Sequence, residues 1–145
     1  METRIQIDQV VPEAIRSMLT LERFVQSSSL SKVQMELIKI RASQLNKCAY
    51  CINMHTRDAL KIGISQERIF LLNAWEESDL FTPEEQLLLK ITEEVTLISE
   101  SGLSSETYER ALEVFGEKML AELIMAVITI NSWNRIAVST LKPLD

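Results

Sequence analysis

Glycine and proline are scarce in this chain, which contains only three of each among its 145 residues. Sheets need frequent tight turns between strands, and those turns rely on glycine and proline. Because 46% of the residues are hydrophobic, the chain can still bury a core of ordinary size. The composition therefore predicts an all-α fold. We expect a single domain that covers residues 1–145.

Capping residues and helix breakers predict where the helices begin and end. The clearest start is Thr82-Pro83-Glu84-Glu85, which combines a capping threonine, a first-turn proline and a capping-box glutamate. Short loops between the helices predict antiparallel packing of neighbours. In chain order the predicted helices begin at Pro12, at a cap on Ser29 or Ser31, at caps on Asn46, Ser65 and Thr82, at Ser104 or Ser105, and at Glu117; they end near Gln26, Leu45, Gly63, Trp75 and Ser99, before Gly116, and near Leu141.

The charge balance and the apolar pattern exclude several classes of partner. Twenty-one acidic side chains outweigh fifteen basic ones, so we expect no binding to nucleic acid. The longest apolar stretch, Leu123 to Ile130, is far shorter than the roughly 20 residues that cross a bilayer. Because this stretch is apolar nearly all round, we expect it at the centre of the bundle or in a subunit contact. We expect a cytoplasmic protein with no membrane contact.

Two cysteines and the only histidine of the chain are spaced to share one helix face. Cys48, Cys51 and His55 fall within an arc of about 60° in an α-helix. The unpaired N–H groups and the dipole of a first helical turn favour a thiolate at the cysteines. The imidazole lies one turn beyond Cys51, where it can take the thiol proton. The three residues are therefore the predicted catalytic site.

Glu36 is the fourth candidate for this site. It lies in the preceding predicted helix, on the flank of an apolar arc formed by Val33, Leu37 and Ile40. A carboxylate that faces a neighbouring helix is costly to bury unless a partner pairs with it. We expect the imidazole of His55 to be that partner, so that Glu36 orients it.

The residues alone leave other interpretations open. A Cys-x-x-Cys pair is also compatible with two small buried hydrophobic residues. Cys48, Cys51, His55 and Glu36 would form a zinc set, but a second histidine or second cysteine pair is missing, and we expect neither a metal nor a cofactor. Proximity to His55 favours Cys51 as the nucleophile, whereas the first-turn position and expected exposure of Cys48 favour Cys48.

These residues resemble the alkylhydroperoxidase D (AhpD-like) group of the carboxymuconolactone decarboxylase family. The redox branch of that family carries a glutamate, eleven intervening residues and then Cys-x-x-Cys-x-x-x-His. Glu36, Cys48, Cys51 and His55 stand at this spacing. The likeness extends from about residue 12 to residue 141, and it includes the stretches Leu37–Asn46 and Asn131–Arg135.

The resemblance implies an all-α, AhpD-like helical bundle of about six or seven helices that assembles as a homo-trimer or homo-hexamer. It also implies activity as a thiol-dependent peroxidase or disulfide oxidoreductase. In such a cycle Cys51 attacks a hydroperoxide and becomes a sulfenic acid, and Cys48 captures it as a disulfide. Glu36 and His55 relay the protons, and a dithiol or lipoyl-type protein reduces the disulfide. The competing hypothesis is a non-catalytic helical oligomer that binds a small molecule or metal at the same face.

One residue between the cysteines departs from the family pattern. Tyr50 stands where the best-studied form of the family has a second histidine. Tyrosine donates a hydrogen bond but is a poor base near neutral pH, so the implied proton relay is shorter here. The decarboxylase branch of the family lacks the cysteine pair, and we do not expect decarboxylation.

Overall fold

The computed structural model describes residues 2–145, and within that range the chain forms helices and no strands. The prediction of an all-α fold of six or seven helices is therefore confirmed. In chain order the α-helices are α1 (Ile7–Val10), α2 (Pro12–Gln26), α3 (Lys32–Leu45), α4 (Ala49–Lys61), α5 (Gln66–Leu71), α6 (Pro83–Thr96) and α7 (Ser105–Ser139), and a 3₁₀ helix (Leu72–Glu77) follows α5 directly.

Several helix starts are set by the local caps that the sequence contains. Ser31 caps α3 in a capping box with Gln34, and Thr82 caps α6 in a capping box with Glu85. The break predicted at Gly116 is present, because Gly116 has a φ of 77° inside α7. Such a positive φ suits glycine and interrupts the helix.

Other boundaries differ from the prediction. The short helix α1 is absent from the predicted set, and α6 ends at Thr96 rather than near Ser99. The element predicted to run as one helix through Trp75 changes to 3₁₀ geometry after Leu71. Helix ends fray in this way because the last turn has few backbone partners of its own.

The prediction that Asn46 caps the start of α4 is wrong, because Asn46 instead ends α3. The Lys47 N–H donates to the carbonyl of Gln44 at 3.1 Å, and the Cys48 N–H donates to the carbonyl of Ser43 at 3.0 Å. This pair of bonds is a Schellman motif, with Lys47 in the left-handed region at a φ of 55°. The motif turns the chain sharply, and Cys48 becomes the N-cap of α4.

Asn46 fixes this turn to α7 through its side chain. Its amide donates to the side-chain oxygens of Asn131 and Asn134, at 2.9 Å in each case. Asn134 is fully buried and donates in turn to the hydroxyl of Ser43 on α3. Buried amides are stable only when their hydrogen bonds are satisfied, so this network holds the α3–α4 turn in one position.

Helix α3 lies between α4, α6 and α7 and is enclosed on several sides. Leu37, Ile38 and Ile40 are at most 1% exposed and belong to the main hydrophobic core. The apolar stretch of α7 contributes one face to the same core, while its Ile128 is 41% exposed. The alternative of a subunit contact at this stretch stays a prediction. None of the helices described in residues 2–145 is long and apolar enough to cross a membrane.

Replacement of Lys47 by glycine is expected to stabilise the protein by about 0.5 to 1 kcal/mol, because glycine adopts a positive φ without a clash at Cβ. Urea unfolding of Lys47→Gly and of the native chain measures this difference. Lys47→Ala is the matched control, since it removes the same exposed side chain and keeps the unfavourable φ. Equal stabilisation by alanine would contradict this explanation.

Candidate active site

Cys48 and Cys51 are joined by a disulfide at the start of α4. The two residues are 1% and 3% exposed, and they pack with Ala137 of α7 and with Tyr50. The Cys51 N–H donates to the sulfur of Cys48 at 3.3 Å, so the cysteine takes the role that serine or aspartate has in most helix caps. The α3–α4 turn thus brings both sulfurs to a helix N-terminus, where the backbone favours negative charge.

A cavity of about 470 Å³ opens beside the disulfide. Cys51, His55 and Glu36 all line it, whereas Cys48 does not. The exposure expected of Cys48 is therefore wrong: the Schellman turn directs this residue inward, and Cys51 is the sulfur at the cavity wall. Part of the wall is apolar and is formed by Ile15, Met54, Trp133, Ile136 and Ala137.

His55 and Glu36 meet between α4 and α3. The Nδ1 atom of His55 lies 3.2 Å from Oε2 of Glu36, and their side chains are 9% and 14% exposed. This pairing is the one expected from the position of Glu36 beside an apolar arc. A hydrogen bond at Nδ1 fixes the orientation of the ring and leaves Nε2 as the nitrogen for proton transfer.

A second buried pair, which the sequence did not predict, lies in the same cavity wall. Nζ of Lys39 contacts Oε1 of Glu22 at 2.7 Å, and Glu22 also accepts hydrogen bonds from Gln26 and Trp133. Burial alone would raise the pKa of Glu22, but the hydrogen bond and charge of Lys39, aided by Gln26 and Trp133, lower it below its ordinary value. The sequence contains one sign of this pair, a lysine between Ile38 and Ile40. A lysine in such an apolar setting indicates a buried ammonium, which needs a carboxylate partner.

Tyr50, which departs from the family pattern, also lines the cavity. Nζ of Lys142 lies 5.1 Å from the centre of the Tyr50 ring, a distance at which a cation and an aromatic face attract each other. The position between the cysteines therefore contributes an aromatic wall and a phenol hydroxyl to the site. It supplies no imidazole.

With the disulfide formed, the residues that could hold a metal differ from the zinc ligands considered in the sequence analysis. Both cysteine sulfurs are bonded to each other, so neither is a free thiolate ligand. Glu36, His55 and Asp58 offer ligand atoms that all lie within 4.8 Å of one another. Asp58 follows His55 by three positions on α4 and so shares its helix face.

The sequence matches a known protein family and a relative of similar length. The family model described as the carboxymuconolactone decarboxylase family matches residues 10–94. The chain is 40% identical over 139 residues to the uncharacterized protein YdfG of Bacillus subtilis (strain 168), an alignment that covers 96% of this chain and 95% of that protein.

Solved structures share the fold. A protein of unknown function from Agrobacterium tumefaciens, provisionally named an antioxidant defence protein AhpD, superposes with a TM-score of 0.95 at 36% identity over 99% of both chains. An uncharacterized peroxidase-related protein from Silicibacter sp. TM1040 superposes with a TM-score of 0.81 at 20% identity, covering 92% of this chain and 71% of that chain. The second likeness concerns the fold alone.

Replacement of Glu22 by glutamine is expected to lower stability at pH 7 by about 3 kcal/mol, because Lys39 would stay buried without a counter-charge. The pKa of Glu22 is lowered from 4.5, so its ionised form stabilises the native state above that pH. This contribution is lost as the pH falls through the folded-state pKa. Urea unfolding measured from pH 7 down to pH 3 should therefore show that acid lowers the stability of Glu22→Gln less than it lowers the stability of the native chain.

Glu13→Gln is the control for that experiment, since Glu13 lies on the same helix in an exposed ion pair with Arg16. Such exposed pairs contribute little, so the control should keep the stability and the pH profile of the native chain. A Glu22 variant that behaves like the control would contradict a stabilising role for the buried pair.

Proposed function

This chain belongs to the carboxymuconolactone decarboxylase family, and we propose that it is an AhpD-like thiol peroxidase that reduces hydroperoxides through Cys48 and Cys51. One observation carries the proposal: the disulfide lies at the wall of a cavity that the His55–Glu36 pair also lines. The likeness to the Agrobacterium protein supports an antioxidant role. The four residues concerned stand at the spacing of the redox branch of the family.

In the proposed oxidative half of the cycle, the thiolate of Cys51 attacks the outer oxygen of a hydroperoxide. The O–O bond breaks, one proton is delivered to the departing alkoxide, and the products are an alcohol and a sulfenic acid on Cys51. The thiol of Cys48 then displaces that hydroxyl as water and forms the disulfide. Cys51 has the attacking role because it lines the cavity and Cys48 does not.

His55 supplies the proton transfers in this scheme, and Glu36 positions it. The Cys51 proton passes to Nε2 of His55 when the thiolate forms, and the same nitrogen returns a proton to the leaving alkoxide. Glu36 holds the ring through Nδ1 and stabilises the imidazolium that exists between the two steps. In these roles His55 is a catalytic residue and Glu36 a positioning residue.

In the reductive half of the cycle, Cys51 is the sulfur that is attacked and Cys48 is the leaving group. An incoming thiolate reaches Cys51 from the cavity, forms a mixed disulfide with it and expels Cys48 as a thiolate. The N–H of Cys51 already donates to the Cys48 sulfur at the helix N-terminus, so negative charge on this leaving group is stabilised. A second thiol of the reductant then releases Cys51.

The burial of the disulfide favours a slender reductant. Both cysteines are at least 97% buried, and only Cys51 borders the cavity. A cysteine held on the surface of a folded dithiol protein would have to enter the cavity, whereas a lipoyl group stands at the end of a flexible chain. We therefore expect a lipoyl-type protein to serve as the reductant in preference to a compact dithiol protein.

Cysteine variants test the assignment of the two sulfurs. After one equivalent of an organic hydroperoxide, the reduced native chain should lose both thiols together. Cys51→Ser should keep its remaining thiol, whereas Cys48→Ser should accumulate a sulfenic acid on Cys51 that a dimedone-type reagent traps for mass spectrometry. Rapid oxidation of Cys48 in Cys51→Ser would reverse the assignment, and survival of both thiols in the native chain would refute the peroxidase proposal.

Replacement of Glu36 by glutamine should slow peroxide-dependent disulfide formation by about 10²-fold, because the imidazolium loses its anionic partner. Stopped-flow measurement with the reduced protein gives the rate. Glu36→Asp should recover part of the rate, which a purely structural role would not require. Glu109→Gln removes an exposed carboxylate from α7 and should react at the native rate. An unchanged rate in Glu36→Gln would contradict the relay.

A further inference from the structure

Glu36, His55 and Asp58 form a cluster that the proposed redox cycle uses only in part. Asp58 has no role in the cycle, yet its carboxylate lies on the same side as the His55–Glu36 pair. Glu36 and Asp58 both line the main cavity, and both also line a second, smaller cavity of about 250 Å³. The cluster therefore borders open space on two sides.

The spacing of the ligand atoms suits one small cation. Two ligand atoms that bind one ion at about 2.1 Å lie about 3.0 Å apart at an octahedral angle and about 3.4 Å apart at a tetrahedral angle. Nδ1 of His55 and Oε2 of Glu36 are 3.2 Å apart, which lies in that range. Asp58 completes a group within 4.8 Å, and its side chain is 43% exposed and can move closer.

The local charge also favours a cation. Among residues 2–145, Glu36 has no lysine or arginine within ion-pair distance, and its one charge partner is the imidazole of His55. Lys39 on the same helix is held by Glu22. Lys61 lies 3.5 Å from Asp58, but its side chain is 76% exposed, so solvent screens its charge. A largely buried carboxylate without a cationic neighbour is a favourable ligand.

We propose that Glu36, His55 and Asp58 form a binding site for one divalent transition-metal ion of the Zn²⁺ class when Cys48 and Cys51 are oxidised. An imidazole with two carboxylates suits such an ion better than Ca²⁺ or Mg²⁺, which prefer oxygen ligands alone. In this oxidised state neither sulfur is a thiolate that would compete for the ion. Water from the cavities fills the remaining coordination positions.

The bound ion has a consequence that rests on the proposed function. It would occupy Nδ1 of His55 and one oxygen of Glu36, the two atoms that form the proton-relay contact. An ion that stays bound after the disulfide is reduced would therefore block the proton transfers of the oxidative half of the cycle until it leaves. Metal binding itself does not depend on peroxidase activity, so the two ideas can fail separately.

Calorimetric titration of Zn²⁺ into the oxidised protein, prepared without a histidine tag, tests the site. We expect one ion per chain, and Asp58→Asn should weaken the affinity at least about tenfold. Asp79→Asn removes an exposed carboxylate elsewhere and should bind as the native chain does. Titration with Co²⁺ should give the absorption of a nitrogen and oxygen site without thiolate-to-cobalt charge transfer.

The variant Cys48→Ser/Cys51→Ser gives an independent measurement, because it has no sulfur ligand in any redox state. It should bind Zn²⁺ with an affinity close to that of the oxidised native chain. Absence of binding to the oxidised protein, or equal affinity in Asp58→Asn, would overturn the site. Retained binding together with absent peroxide reactivity would support the metal site and refute only the proposed function.

Discussion

The turn between α3 and α4 is the constraint on which the site depends. Asn46 ends one helix and Cys48 begins the next, with Lys47 in a left-handed conformation between them. The amide of Asn46 is held by Asn131 and Asn134 of α7, so the turn cannot move independently of the core. Because α4 begins at this turn, the turn also determines where Cys51 and His55 lie.

The packing of α3 against α4 then decides which side chains meet. Glu36 and Lys39 are three positions apart on α3, but they have different partners: Glu36 pairs with His55 of α4, and Lys39 pairs with Glu22 of α2. Both pairs lie in the cavity wall. The cavity thus combines an apolar wall, which suits the organic part of the proposed hydroperoxide substrate, with two polar pairs in the same wall as Cys51.

Helix starts were the most predictable part of the fold, because a cap is a contact between residues three positions apart. The capping box of Thr82 and Glu85 was recognisable in the sequence and is present in the structure. The position of His55 relative to Cys51 is also predictable, since both lie on α4 at helical spacing. The helix face predicted for Cys48 together with them is wrong, because Cys48 is the N-cap of α4 with an extended backbone and does not line the cavity. The sequence predicts the wrong helix for Asn46, because an asparagine suits either end of a helix and contacts with α7 decide between them.

The sequence alone is enough to predict the helical class, most of the helix starts and the helical spacing that brings Cys51 and His55 to one face of α4. These features depend on backbone geometry and on neighbours within one or two turns. Two features depend on how the helices pack: Cys48 is buried while Cys51 borders a cavity, and Glu22 reaches Lys39 across seventeen positions of the chain. The angle and rotation of packed helices set these outcomes, and they follow from the shape of the whole core.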